Sequence, residues 1–335
     1  MDFSDVSNSP EDYIEVGDVL NSFDFSLDNL DDAARAVTDY TTARLKAIAQ
    51  INPQPLALMV SGGVDSLHML ACAHAAGIDV AAYTVAWPGS DEATQELDAA
   101  KAMCDKFGIV HVSVRPTYSE LSAIMAQVTQ RLQTSEPWEV LAGSVLYAIA
   151  RLTPPDAAIV TAAGADTLMR GGKQFSASHF NGDTLGRWET QVKADIRRGF
   201  TRERYIPDFY TRLIGSRAKR HYKVWQTRQA VDLVGHLHPH AIRGEDWKQD
   251  KLVLRYAARQ LGVDEKYTAV AKSPMQASSG GFAAIEQLVR SELSQQYKGR
   301  TYTDPKTEDL ELVLSRLYLD RLWARAAAWP AQHEV

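Results

Sequence analysis

Cysteine is scarce in this 335-residue chain, with Cys72 and Cys104 the whole complement, and neither is flanked by a second metal-type ligand at the usual spacing. So low a count excludes a disulfide framework and fits a reducing compartment. No apolar run approaches the roughly 20 residues of a membrane-spanning helix, so no such span is expected. No basic residue precedes Arg35, and residues 1–20 are acidic, without the basic start of a secretory leader; the expected location is cytoplasmic. Nor is there a surplus of positive charge: 36 Lys and Arg against 42 Asp and Glu leave a net −6, which does not suggest a polyanion partner for the chain as a whole. Apolar residues make up 45%, enough for a large α/β domain with a helical extension.

Against this background one string stands out. Ser61-Gly62-Gly63-Val64-Asp65-Ser66 follows the apolar run 56–60 and precedes a helical pattern, and reads as strand, loop, helix. Two glycines allow backbone N–H groups to approach an anion, the hydroxyls of Ser61 and Ser66 add donors, and a helix N-terminus adds partial positive charge. Asp65 would repel a phosphate unless it holds a divalent cation that bridges to the phosphate oxygens. No lysine follows the glycines, so the string is not the Walker A pattern. A plain strand-to-helix turn would use the same residue types.

The rest of the first half alternates. Helical patterns over 66–76 and 94–107 and apolar strands over 80–87 and 109–114 are followed by helices over 121–132 and 140–152 and a fourth strand over 157–161. This order predicts an α/β fold, a parallel sheet with helices on both faces, whose ligands sit beyond the carboxyl ends of the strands. The fourth strand runs straight into Ala162-Ala163-Gly164-Ala165-Asp166, which places a second carboxylate at the same edge. Two such aspartates could share one or two Mg2+ ions bound to ATP, although Asp166 could equally be an ordinary first-turn carboxylate.

The first loop resembles the SGGxDS pyrophosphate loop of the N-type ATP pyrophosphatases, and residues 161–172, TAAGADTLMRGG, resemble the second loop of asparagine synthetases. Lys251-Leu-Val-Leu-Arg255 and the stretch 271–280, with Lys272, are similar to the region that carries that family's catalytic lysine. The resemblance implies an adenine nucleotide α-hydrolase-like fold over residues 31–330, its sheet core at about 53–180 and a helical part at about 181–330, behind an acidic arm at 1–30. It implies an ATP-dependent ligase that adenylates a small-molecule carboxylate, releases pyrophosphate and passes the acyl group to ammonia or an amine. ATP contacts are implied at Ser61, Gly62, Gly63, Val64, Asp65, Ser66, Val85, Thr161, Ala162, Gly164 and Lys251, Mg2+ ligands at Asp65 and Asp166, and charge stabilisation at Lys272. Glu136, Trp138 and Arg170 are candidates for the substrate pocket.

The departures are specific. Ala163 and Thr167 stand where the family has glutamates, one of them a candidate general base, and Arg170 interrupts the usual glycines. No N-terminal glutaminase with a cysteine nucleophile is expected, since position 2 is Asp; nitrogen would come from free ammonia, a separate glutaminase or an amine-donor protein. A basic run over 196–223 with interleaved tyrosines could dock a nucleic acid, activating a tRNA or nucleobase carbonyl, or form a solvated face; a catalytically silent ATP-binding module is the remaining alternative. His236, His238 and His240 alternate without a partner ligand at standard zinc spacing.

Overall fold

A computed structural model describes residues 3, 6–10, 23–173, 175, 181–199, 206, 208–245, 247–270, 274–296 and 318–324. In chain order the elements are α1 (Leu30–Ile51), β1 (Leu56–Met59), α2 (Val64–Ala75), β2 (Val80–Val85), α3 (Asp91–Phe107), β3 (Val110–Val114), α4 (Tyr118–Leu132), α5 (Pro137–Leu152), β4 (Ile159–Thr161) and α6 (Ala165–Leu168). They continue with α7 (Gly182–Gly199), α8 (Phe209–Ile214), a 3-10 turn (Gly215–Arg220), β5 (His221–Lys223), α9 (Arg228–His236), α10 (Pro239–Arg243), α11 (Leu252–Gln260), α12 (Glu265–Thr268), α13 (Met275–Ser278) and α14 (Gly281–Gln296). Local chemistry sets the boundaries. Ser90 caps α3 by accepting from the Ala93 N–H, so that helix begins earlier than its apolar pattern does, and Gly108 ends it at φ +68°. Thr117 and Glu120 form a capping box that likewise starts α4 ahead of its pattern.

The five strands are parallel in the order β3-β2-β1-β4-β5. The chain grows outward from β1 through β2 to β3 and then crosses to the other side of β1. The loops that follow β1 and β4 are therefore neighbours at the point where the winding reverses, which is where open α/β sheets bind ligands. Alternation along the strands divides the core between the two faces. Leu56, Leu58, Val60, Val80 and Ala82 join α1, α2, α9 and α11 on one face. Ala57, Ala81, Tyr83 and Val85 join α4, α5 and α14 on the other. Each fully buried aliphatic side chain on these faces contributes about 1.5–3 kcal/mol.

Strand β5 is absent from the sequence reading, because His221-Tyr222-Lys223 carries no aliphatic run. It lies inside the basic run and past the expected end of the sheet core at about 180, yet pairs with β4 from Ile159↔His221 to Thr161↔Lys223. The basic run is accordingly not one face. Arg217 donates to carbonyls of Thr153 and Pro154 at the end of α5, Arg220 donates to Asp156 O at 3.1 Å, and the buried Lys223 lies 4.2 Å from the Tyr210 ring centre. Arg202, Arg204 and Tyr205 lie outside the described residues. The acidic arm, where described, is docked: the buried Arg44 donates to Ser7 O and Ser9 O, and the N–H of Leu27 donates to His236 O at 2.8 Å. His236 bonds Asp24 and His238 accepts the His240 N–H, so these histidines hold the arm and cap α10.

His68, on α2, is wholly buried, and desolvation lowers its pKa to about 4. The unfolded imidazole titrates near 6.5, so stability is complete above that pH and is lost as pH falls toward 4, by on the order of 3 kcal/mol. His68→Leu is expected to flatten the decline in urea midpoint between pH 6.5 and 4.5; an unchanged decline would assign the acid sensitivity elsewhere.

Candidate active site

The loop after β1 is braced from within. Ser66 Oγ, only 6% exposed with its residue, accepts the Ser61 N–H at 3.0 Å and lies 2.9 and 3.0 Å from the carbonyl oxygens of Ser61 and Gly63. The Ser66 hydroxyl is thus engaged by the loop itself rather than aimed outward. Ser61 Oγ accepts the Gly63 N–H at 3.1 Å. The N-cap of α2 is Gly63, which has no side chain to close the end of the helix, and a helix N-terminus is where backbone N–H groups and the dipole favour an anion.

The loop after β4 is held against the segment that leaves β5. Thr161 O accepts the Val224 N–H at 2.8 Å, Ala163 O accepts the Trp225 N–H at 3.2 Å, and Thr161 Oγ1 accepts the Ala163 N–H. Gly164 turns at φ +105°, and a Cβ there would lie 2.6 Å from the Trp225 carbonyl carbon. Only glycine fits both the turn and the contact. That geometry points the first turn of α6, and with it Asp166, toward the loop after β1.

The two carboxylates meet at Lys251. Its Nζ lies 2.6 Å from Asp65 Oδ2 and also bonds Asp166 Oδ1. Lys251 is the residue preceding α11, in a left-handed conformation at φ +50°, and is 1% exposed. Burial alone would lower its pKa, but Coulomb attraction to Asp65 and Asp166 outweighs that, so the ammonium is held above its ordinary value. Two carboxylate oxygens that touch one nitrogen lie within about 5 Å of each other, a repulsion of about 3 kcal/mol at an effective dielectric of 20 without the ammonium. Carboxylate oxygens are also the donors that a hard divalent ion takes, but the converging oxygens here are held by the ammonium, and no group of three such ligands forms among the described residues.

Neighbouring residues fix this cluster. Asp250 accepts the Gly172 N–H at 3.2 Å and the Arg255 guanidinium at 2.5 Å; despite burial, Arg255 holds its carboxyl below the usual range. Arg255 also donates to the carbonyls of Thr268 and Val270, just ahead of residue 271. On the far side, the Trp87 N–H beyond β2 donates to Ser279 O at 2.8 Å. Lys272 itself lies outside the described residues.

The other expected residues are spread around the same sheet. Val85 ends β2 and is buried, and Ala162 follows β4. Glu136 precedes α5; Trp138, 41% exposed, packs edge-on against Phe282 with ring centres 4.7 Å apart. Arg170 is not brought to the cluster: its buried guanidinium donates to Asp195 at 2.6 Å, where Lys173 and Arg198 also bind. Beyond β2 and β3, Trp87, Ser90, Asp91, Thr94 and Arg115 line a concavity of about 430 Å³. The carboxylate–ammonium geometry was hidden from sequence reasoning because Lys251 and Asp65 are 186 positions apart.

No curated protein matches the chain. Among solved structures it is similar to an NMN synthetase from Francisella tularensis, at 12% identity over 73% of this chain and 98% of that one, with a TM-score of 0.29, too slight a likeness to carry an argument. The model of the asparagine synthase family matches residues 47–246, from the end of α1 to the turn before α11, and so takes in both loops and both aspartates. With more than half of its length under that pattern, the chain belongs to the asparagine synthase family of ATP-using ligases.

Proposed function

We propose that this chain is an ATP-dependent amide-forming ligase. A carboxylate oxygen of the substrate attacks the α-phosphorus of ATP, forming an acyl-adenylate and releasing pyrophosphate. Ammonia or an amine then attacks the acyl carbon, and AMP leaves as one proton is lost. The observation that carries the reading is the convergence of Asp65 and Asp166, from the loops after β1 and β4, on one cation at the switch point of the sheet.

In this reading the first-turn N–H groups of α2 and the Ser61 hydroxyl hold the pyrophosphate oxygens, with Thr161, Ala162 and Gly164 forming the opposite wall. Asp65 and Asp166 would hold Mg2+, which when bound would neutralise charge on the departing pyrophosphate. Lys272 would stabilise charge at the α-phosphate in both steps. The anchoring of Val270 by Arg255 and of Ser279 by Trp87 supports this assignment, since the described residues on each side of Lys272 are tied to the edge where the loops lie. With Ala163 in place of the family glutamate, the proton lost by the amine goes to the adenylate phosphate or to solvent. The amine could come from a separate glutaminase or amine-donor protein.

Carboxylate-dependent exchange of labelled pyrophosphate into ATP, across a panel of amino acids and other acids, tests the proposal. Exchange with one acid class is expected. No exchange with any acid, together with no conversion of ATP to AMP, would refute it.

A further inference from the structure

Asp195 lies outside the cluster of Asp65, Asp166 and Lys251, on the buried face of α7. That helix buries Trp188, Val192 and Ile196, and Asp195 shares their face at helical spacing, with 2% of its side chain exposed. Its Oδ2 takes the Arg170 guanidinium at 2.6 Å and the Lys173 ammonium at 2.9 Å, and its Oδ1 takes Arg198 at 2.5 Å. Arg170 and Lys173 are the two ends of one turn, closed by the Lys173 N–H on Arg170 O at 3.1 Å. The middle of that turn lies against the cluster. The Gly171 N–H donates to Asp166 O at 3.0 Å, and the Gly172 N–H donates to Asp250 at 3.2 Å. A Cβ on Gly171 would collide with Asp166 Oδ1 and Lys251 Cε. One carboxylate on α7 thus grips both ends of a turn whose middle walls the cluster.

We propose that Asp195 is a positioning residue for the reaction: from α7 it holds the turn 170–173 and so fixes the glycines against which Asp166 and Lys251 are set. The inference rests on the ligase reading above. The backbone gives the first argument. Arg170 sits at φ +50°, a left-handed conformation that is costly for an L residue and persists only where its surroundings over-determine it. Its guanidinium is 8% exposed and lies 5.8 Å from the centre of the Trp188 ring, so the side chain is committed to the interior, where Asp195 is its charge partner. Charge gives the second argument. Arg170 alone neutralises Asp195, yet Lys173 and Arg198 bind the same carboxylate, leaving a local surplus of two positive charges. Without Asp195 these three cations repel one another, and the turn is released at both ends.

Deuterium uptake by the full chain, read over residues 170–173 with α2 as internal reference, tests this beside pyrophosphate exchange. Arg170→Asn keeps a residue type that tolerates the left-handed turn and removes one arm of the grip, while Asp195 retains Lys173 and Arg198. It is expected to speed uptake at Gly171 and Gly172 by at least about tenfold, with α2 unchanged. Pyrophosphate exchange at saturating ATP is expected to fall by about 10–100-fold, with KM for ATP within about threefold of wild type. Arg170→Lys, which keeps the charge, is expected to recover most of both. Asp195→Asn frees both ends and is expected to act more strongly. A contact that served folding alone would lower the thermal midpoint of Arg170→Asn but leave uptake at the two glycines and the rate of the folded enzyme unchanged. That result would overturn the inference, as would faster uptake without loss of rate. If the wild-type chain catalyses no pyrophosphate exchange with any acid while uptake responds as expected, the ligase reading falls and the hold on the turn stands. Arg170→Asn decides the matter even if Asp195→Asn does not fold.

Discussion

Asp65→Asn is expected to lower carboxylate-dependent pyrophosphate exchange by about 10²–10³-fold, the size of effect seen when one stabiliser of developing charge is removed. The substitution keeps the shape of the side chain and its place in the first turn of α2, but takes away one of the two charges that meet at Lys251. The remaining ammonium keeps Asp166 as partner, so helical circular dichroism should persist. Exchange within about tenfold of wild type in a folded variant would remove Asp65 from the machinery. Glu for Asp would be a weaker test, because the longer carboxylate could still reach the ion.

The second large effect concerns stability. Gly164→Ala is expected to cost about 2–5 kcal/mol, combining a left-handed turn that an L side chain adopts at roughly 1–2 kcal/mol with overpacking of about 1–3 kcal/mol. The new Cβ would sit 2.6 Å from the Trp225 carbonyl carbon and 2.9 Å from the Gln226 nitrogen, both backbone atoms that cannot swing aside. A drop in thermal midpoint of about 3–7 °C follows for a chain of 335 residues. Gly77→Ala provides the control. Gly77 is also left-handed, at φ +65°, but nothing lies within 4 Å of its missing Cβ, so only the conformational cost of about 1 kcal/mol applies. Equal losses in the two variants would mean that the contact with Trp225 does not constrain the loop.

The alternation of strands and helices, the parallel sheet and the loop at Ser61 were legible because each is written in a short window: apolar runs, Ser-Gly-Gly, and a helical period. The second loop became legible through its likeness to a known pattern. What could not be read depends on distance in sequence. The meeting of Asp65, Asp166 and Lys251 joins three separate segments, and no local period announces it. Strand β5 escaped for a different reason. Its three residues are buried through aromatic and lysine stems instead of aliphatic ones, so a His-Tyr-Lys triplet inside a basic run looked solvated. Ser66 shows that a residue type can be right for a loop while its hydroxyl serves the loop's own carbonyls.

The separation of Asp65 from Lys251 also governs how the chain is made. At about 5–20 residues per second, synthesis takes roughly 10–40 s to pass from one to the other, a span of 186 positions. Helix α11 packs on both α1 and α2, so neither the cover of these helices nor the ammonium between the two carboxylates can form until residues 251–260 have been made.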